Sequence, residues 1–325
     1  MLEGKIETAK RALKLAADMS KTYYGKPLTV TYSGGKDSEV LLRLAMECLK
    51  PDEFRAMNSH TTVDAPQTVY HIRKVFERLD REGIDTEIKK PVYKGEPTTM
   101  WKLIVQNGMP PTRIARYCCK VLKEAGTPKQ MCALGVRGAE SKGRSDRGVF
   151  GTRARRKQDT AWFGLDHSEQ VFKDALKTAD DLGHDARGGD AFDCKLIESA
   201  KKNKELVINP IIDWADTDVW EFIRDRKCEY NPLYDMGYSR VGCVGCPLAS
   251  RKTRMRDFKN FPKYKDNYIR AFDRMLEARK ALGKDDTLLK PGWFEAGVWY
   301  TGKDVFSWWM EDYKYECDGQ MEFDK

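Results

Sequence analysis

The sequence predicts an α/β protein built on a doubly wound, mainly parallel sheet. Three observations predict it. Short β-branched or apolar runs alternate with helix-period segments, as in strand–helix–strand units. Pro27-Leu28-Thr29-Val30-Thr31-Tyr32 passes through two glycines into the apolar helix formers Val40-Leu41-Leu42-Arg43-Leu44-Ala45. Met131-Cys132-Ala133-Leu134-Gly135-Val136 is apolar throughout, as a buried parallel strand must be.

The elements follow in order. Residues 4–22 carry Ile6, Ala9, Leu13, Ala16 and Met19 roughly on one helical face. The strand over 27–32, its turn and its helix come next. Phe54 to Ser59 reads as a second strand. Asp64 is placed to cap a helix with Pro66 in its first turn and Gln67 three residues on. That helix continues through Val69, Ile72, Val75, Phe76 and Leu79. Thr86 to Lys89 is a short third strand, and Thr98 or Thr99 opens a helix over Trp101 to Val105. Residues 141–205 are polar and glycine-containing and read as an insertion with some helix near 168–179. Order resumes at Leu206 to Ile212. Asp216 or Thr217 caps a helix carrying Val219, Trp220, Phe222 and Ile223. Residues 254–282 read as one long helix. The last stretch holds Trp293, Phe294, Trp299, Tyr300, Phe306, Trp308 and Trp309, which pack an extension or stack on bases. The expected organisation is a nucleotide-binding domain over 1–250, interrupted by the 141–205 insertion, and a helical, aromatic-rich extension over 251–325.

Composition narrows the function. The apolar fraction of 41% suffices for a core. No apolar run approaches the roughly 18 residues needed to cross a membrane. Met1-Leu2-Glu3-Gly4-Lys5 opens an amphipathic helix rather than a signal peptide, so a cytoplasmic location is expected. Nine cysteines in a reducing compartment favour metal, cluster or catalytic thiols over disulfides. The net charge of +8 is uneven: residues 111–160 hold 13 Lys and Arg against 4 Asp and Glu, and residues 251–290 hold 13 against 6. Such segments grip the phosphates of a nucleotide or nucleic acid, or else form a solvated basic surface.

The chemistry concentrates in Ser33-Gly34-Gly35-Lys36-Asp37-Ser38. The glycines allow close backbone approach to a ligand. The helix that follows points its N–H groups and dipole at an anion, and Lys36 adds a full charge. This is a phosphate cradle, and its spacing is too short for a Walker A loop. In a doubly wound sheet, ligands sit beyond the C-terminal strand ends. The loop, the segment Thr61 to Asp64 and the segment after Val136 are all expected there. A second constellation pairs Cys118-Cys119 with Gly242-Cys243-Val244-Gly245-Cys246-Pro247. Four thiolates suit an iron–sulfur cluster of the 4Fe–4S type or zinc. A pair of buried thiols and a single nucleophilic or sulfur-carrying thiol are the other readings. Cys48 and Cys132 are expected in the core, and Cys194 and Cys228 carry no role.

The hexapeptide at 33–38 resembles the PP-loop of ATP pyrophosphatases, which cleave ATP between the α- and β-phosphates. Four further stretches resemble the phosphoadenylylsulfate (PAPS) reductase family within that superfamily. They are Thr61-Thr62-Val63-Asp64-Ala65-Pro66-Gln67-Thr68, Arg116 to Lys123, Leu134-Gly135-Val136-Arg137-Gly138-Ala139-Glu140-Ser141, and Asn209-Pro210-Ile211-Ile212-Asp213-Trp214. The resemblance spans about residues 27 to 250.

It implies an adenine nucleotide alpha hydrolase-like fold and an adenine nucleotide, ATP with Mg2+. Ser33, Gly34, Gly35, Lys36, Asp37, Ser38, Thr61, Gly135 and Arg137 would bind it. Lys36, Asp37 and Asp64 would act in catalysis, and Cys118, Cys119, Cys243 and Cys246 would hold the cluster, with zinc as the alternative. The intact loop fits members that spend ATP, such as enzymes inserting sulfur into nucleic acid, with a sulfur donor as partner. Sulfonucleotide reductases, which use a thioredoxin-like reductant, usually have a degraded loop and a C-terminal Glu-Cys-Gly-Leu. This chain has Glu316-Cys317-Asp318-Gly319, with Cys317 the one terminal candidate for such a nucleophile. A non-catalytic nucleotide- or nucleic-acid-binding module is the remaining reading.

Overall fold

The computed structural model describes residues 2–125, 130–140, 149–152, 206–283 and 299–310. The helix expected near 168–179, most of the 141–205 stretch, Trp293, Phe294, Cys194 and Cys317 lie outside the described residues. By internal contact the chain divides into two compact units. The first comprises Met1–Ser59, Pro66–Lys89 and Thr127–Val241, and the second His60–Ala65, Lys90–Gly126 and Gly242–Lys325.

The first unit opens with α1 (Leu2–Tyr24), then β1 (Leu28–Thr31), α2 (Lys36–Cys48), β2 (Phe54–Ser59), α3 (Pro66–Arg81) and β3 (Thr86–Lys89). The periodic apolar positions read in the sequence become its core. Ile6, Ala9, Leu13, Ala16 and Met19 of α1 are buried, as are Val40, Leu41, Leu42 and Leu44 of α2 and Ile72, Val75, Phe76 and Leu79 of α3. The sheet continues with β6 (Cys132–Ala133), β7 (Phe150–Thr152) and β8 (Leu206–Ile208), in the order β3-β2-β1-β6-β8-β7. Five strands are parallel, and β7 closes the edge antiparallel to β8. The doubly wound sheet is therefore present.

The order reverses between β1 and β6. The connections from β1 and from β6 lead to opposite sides of the sheet, a switch point of the kind at whose C-terminal strand ends parallel sheets bind ligands. The loop at Ser33–Gly35 follows β1 there, and Gly135 and Arg137 follow β6.

Several elements differ from expectation. The apolar run at 131–136 pairs as strand only at Cys132–Ala133, because Gly135 leaves the ladder to pass beside α2. The next helix, α5 (Asp216–Asp225), begins at Asp216 and not after it. Ala215 is the N-cap, its N–H donating to the Asp218 carboxylate at 2.7 Å, so Asp216 is not the capping group.

The second unit holds the hairpin β4 (Val92–Tyr93) and β5 (Glu96–Pro97), α4 (Met100–Asn107), α6 (Arg251–Asn260), α7 (Pro262–Ala281) and α8 (Gly302–Met310). Thr99 caps α4, accepting the Lys102 N–H. The single helix expected over 254–282 is two helices. Pro262 lacks an N–H and pushes the preceding residue out of the helical region, and Phe261 lies at φ −130°, ψ 66°. Trp308 and Trp309, an ambiguous aromatic run in sequence, are core residues of this unit. Trp309 stacks on Tyr268 with centroids 4.7 Å apart and donates its indole N–H to the Pro111 carbonyl at 2.6 Å. Among the described residues, no helix is long and apolar enough to cross a membrane.

Gly135 tests the close approach of the β6 exit to α2. A Cβ there would lie 3.0 Å from the Asp37 carbonyl carbon and oxygen and from the Ser38 nitrogen, all backbone atoms of a helix start that cannot yield without moving. Gly135→Ala is expected to lower stability by about 1–3 kcal/mol, read as an earlier urea midpoint; an unchanged midpoint would contradict this packing.

Candidate functional site

The first unit presents a glycine turn at the β1 end. Gly34 sits at φ +74°, a conformation that favours glycine. A side chain there would also press on Ile72, with a Cβ 3.0 Å from its Cγ1. Asn231, fully buried, donates to the Gly34 carbonyl and to Thr68 Oγ1, each at 3.0 Å, and so ties the turn to α3. The two serines brace the turn. The Ser33 N–H and hydroxyl both donate to Ser38 Oγ at 3.2 Å, and the Ser38 hydroxyl donates to the Gly35 carbonyl at 2.8 Å. Gly35 caps α2 and accepts the Glu39 N–H.

Two cations converge on this turn. Lys36 is 5% exposed, although it is the first residue of its helix. Its Nζ meets Asp216 Oδ1 at 2.9 Å and the Ser239 carbonyl at 3.1 Å, and it lies over the rings of Tyr234 and Trp220 at 5.5 and 5.8 Å. Its backbone N–H donates to the Tyr234 hydroxyl at 2.9 Å. Arg137, 4% exposed, donates from Nε to Asp37 Oδ1 at 2.6 Å, from Nη2 to Asp216 Oδ1 at 2.8 Å and from Nη1 to the Trp214 carbonyl at 3.4 Å. Partial burial works to raise the Asp216 pKa, but Lys36 and Arg137 prevail and hold that carboxyl below its usual value. Burial pushes the Tyr234 phenol up to about 12, so it stays neutral beside Lys36. Tyr32, Glu39 and His71 form a buried polar group behind the turn. The Tyr32 hydroxyl donates to Glu39 Oε2 at 2.5 Å and lies 2.8 Å from His71 Nε2.

The structure thus gathers Ser33, Gly34, Gly35, Lys36, Asp37, Ser38, Gly135 and Arg137 in one unit. Sequence reading missed Asn231, Tyr234, Ser239 and the contact role of Asp216. The segment Asn231-Pro232-Leu233-Tyr234 carries no phosphate-loop signature, and its function is set by where the chain returns. Asp216 was legible only as a helix-start residue.

Thr61 and Asp64 belong to the second unit, with the four cysteines. Asp64 forms an antiparallel bridge with Cys243, and its carboxylate accepts the Thr61 N–H at 3.1 Å. Cys243 donates its thiol to Thr61 Oγ1 at 3.6 Å. Gly245, at φ +69°, turns the chain between Cys243 and Cys246 and packs on the Phe258 ring, with its N–H on the buried Asp257 carboxylate. Tyr268 donates to the Val244 carbonyl at 3.1 Å and anchors the same turn. Cys118 and Cys119 stand at the start of a π turn, Cys119–Glu124.

These thiols sense one another. The hydrogen bond to Cys119 pushes the Cys118 thiol well up, and burial and the charges of Cys119, Cys243 and Cys246 add to it. The same bond lowers Cys119, with Arg116 and Lys123 helping against burial. Burial pushes the Cys243 thiol up to about 11. Cys243 above all, then Asp64, Cys246 and Cys119, hold Lys123 protonated. Among the described residues, no three His, Cys, Asp or Glu side chains are arranged to hold a metal ion as they lie. The donor chemistry nonetheless fits a thiolate-bound centre: all four thiols are free, all lie in one unit within each other's field, and a lysine is there to balance their charge. Cys132 is buried in β6, as expected, and Cys48 and Cys228 are partly buried against the core.

Comparison with known proteins places this geometry. The phosphoadenosine phosphosulfate reductase domain model matches residues 27–249. Two uncharacterized proteins of Methanocaldococcus jannaschii are 24% and 22% identical over 267 and 274 residues, which is 82% and 84% of this chain and 51% and 45% of theirs. The chain therefore spans about half the length of these curated relatives. The adenosine 5'-phosphosulfate reductase of Allochromatium vinosum is 48% identical over 42 residues, 13% of this chain and 16% of that one. Among solved structures, the PAPS reductase of Candida auris has a TM-score of 0.40 at 15% identity, covering 70% of this chain and 87% of that one. The U34-tRNA thiolase NcsA of Methanococcus maripaludis, solved with its 4Fe–4S cluster, has a TM-score of 0.37 at 16% identity, covering 94% and 88%. With the family model running from the residue before β1 through the glycine turn and both cysteine pairs, the chain belongs to the phosphoadenosine phosphosulfate reductase domain family.

Proposed function

We propose that this protein is an ATP-dependent adenylating enzyme acting in sulfur transfer, with nucleic acid as the acceptor class. The observation that carries the reading is the pair of buried cations, Lys36 and Arg137, meeting at the turn that begins α2. Asp37 and Asp216 pair with the two cations as they lie, and a nucleotide's phosphates are anions that the same cations and the turn's amides and dipole favour.

In the proposed reaction, an acceptor atom attacks the α-phosphorus. The bond between that phosphorus and the bridging oxygen to the β-phosphorus breaks. AMP stays on the acceptor and pyrophosphate leaves. Lys36, the turn amides and Arg137 stabilise charge on the phosphoryl oxygens. Mg2+ bound with the nucleotide would supply further neutralisation of the leaving pyrophosphate. Asp37 orients Arg137 through its 2.6 Å contact and is the carboxylate of this unit assigned to a metal ion or the acceptor. Ser33, Gly34, Gly35, Ser38 and Gly135 complete the nucleotide site within the first unit. Cys118, Cys119, Cys243 and Cys246 would hold a 4Fe–4S cluster, which with one thiolate on each iron would supply an electron-transfer or structural centre; zinc there would make them a structural clip. The basic residues exposed on α6 and α7, Arg251, Lys252, Lys259, Lys263, Lys265 and Arg270 among them, support a polyanionic acceptor. A sulfur donor is the further partner.

A second reading, reduction of PAPS or adenylylsulfate to sulfite with a thioredoxin-like reductant, is favoured by the local likeness to the Allochromatium vinosum reductase. It needs Cys317 as the nucleophile, and sulfite production that persists in Cys317→Ser would overturn it.

Two measurements test the proposal. Incubation with ATP, Mg2+ and nucleic acid is expected to yield AMP and pyrophosphate, with the rate falling roughly 100- to 1,000-fold in Lys36→Ala; ADP and phosphate as products would refute the proposal. Anaerobically purified protein is expected to contain about four irons and four acid-labile sulfides per chain. Both should be lost in Cys243→Ser, whereas zinc in their place would remove the cluster from the scheme.

A further inference from the structure

Four charged side chains meet at the phosphate turn, and their formal charges cancel: Lys36 and Arg137 against Asp37 and Asp216. The two carboxylates are not equivalent. The Asp37 side chain is 17% exposed and binds Arg137 Nε. The Asp216 side chain is 58% exposed, and one of its oxygens, Oδ1, takes Lys36 Nζ at 2.9 Å and Arg137 Nη2 at 2.8 Å together. A single oxygen thus bridges both cations at charge-assisted hydrogen-bond distance. A phosphate oxygen makes the same contacts at the same distances.

The rest of the surroundings are set up for that oxygen to be exchanged. Lys36 keeps the Ser239 carbonyl and two aromatic rings when Asp216 is removed, and Arg137 keeps Asp37 and the Trp214 carbonyl. Neither cation depends on Asp216 for its position. Asp216 itself lies in the first turn of α5 with its carboxylate facing water, so it can be released without opening the core. Its helix start is held separately, by Asp218 accepting the Ala215 N–H, while the Asp218 carboxylate is also paired with Lys5 at 2.6 Å.

We propose that Asp216 and the phosphate chain of the ligand compete for Lys36 and Arg137, so that Asp216 is an exchangeable internal anion that sets the affinity of the site. The inference rests on reading the 33–38 turn as a phosphate site. It makes Asp216 a specificity-determining residue: a ligand enters readily only if it delivers more negative charge to the two cations than the carboxylate it displaces, which selects di- and polyphosphates over singly charged oxyanions. Apparent affinity is then reduced by the fraction of molecules in which Asp216 is engaged.

Titration calorimetry with inorganic pyrophosphate in the presence of a chelator tests this on the full chain. Asp216→Asn and Asp216→Ser are both expected to bind about tenfold more tightly than wild type, and Lys36→Ala to lose binding. Equal or weaker binding by both Asp216 variants, with wild-type binding intact and abolished by Lys36→Ala, overturns the competition while the phosphate site stands. Absence of binding in wild type and all variants overturns both. The two Asp216 variants are expected to melt within a few degrees of wild type. Failure of both to fold overturns the proposal, because an exchangeable anion is not needed to build the site.

Discussion

Two cations withdrawn from water at the ends of neighbouring parallel strands are the constraint on which the first unit depends. Each buried charge needs partners already in place. Lys36 and Arg137 therefore dictate what returns to this edge of the sheet: Asp37 from the start of α2, Trp214 and Asp216 from the chain entering α5, and Tyr234 and Ser239 from the chain after it. Glycines at 34 and 135 are needed because the backbones of the turn and of the β6 exit come too close to α3 and α2 for a side chain. Trp214, itself buried against Phe222 at a centroid distance of 5.7 Å, presents its carbonyl to Arg137 while anchoring α5 in the core. Core packing and site geometry are held by the same residues.

The second unit meets a different constraint. Its thiols have to be presented by turns, and turns need fixed ends. Around Cys243 and Cys246 those ends are backbone hydrogen bonds from Gly245 to Asp257 and from Val244 to Val63, plus the Tyr268 hydroxyl. Before Cys118, the chain is held by Arg279 on the Gly108 carbonyl, Tyr117 on the Met109 carbonyl and Trp309 on the Pro111 carbonyl. The aromatic cluster of Tyr268, Phe258, Phe272 and Trp309 is thus what keeps both cysteine segments in one unit.

Much of this was legible beforehand where a local rule suffices. Strand β1, the glycine turn, α2, β2 and β3 follow from periodicity and turn chemistry, and the cysteine pairs follow from spacing. The reading failed where neighbours in space decide. Residues 134–136 are as apolar as a strand, yet the ladder ends at Ala133 because Gly135 is taken by α2. The helical period over 254–282 reads as one helix, and Pro262 divides it because it lacks an N–H and excludes the residue before it from the helical region. Asp216 was read as a cap because Asp before an apolar run is a cap by local preference; a capping bond to Asp218 and the pull of two cations outweighed that preference.

The sequence by itself determined the fold class, the glycine turn after β1 and the two cysteine pairs as candidate chemistry, because glycine spacing, hydrophobic period and thiol pairs act over a few residues. Only the tertiary structure decided which distant groups complete them. That Asn231 ties down the turn, that Tyr234 and Ser239 hold Lys36, and that one oxygen of Asp216 spans two cations from different strands are consequences of chain return over 70 residues or more. No local preference encodes such contacts. They are selected by the cost of leaving a buried charge or a buried polar group without a partner.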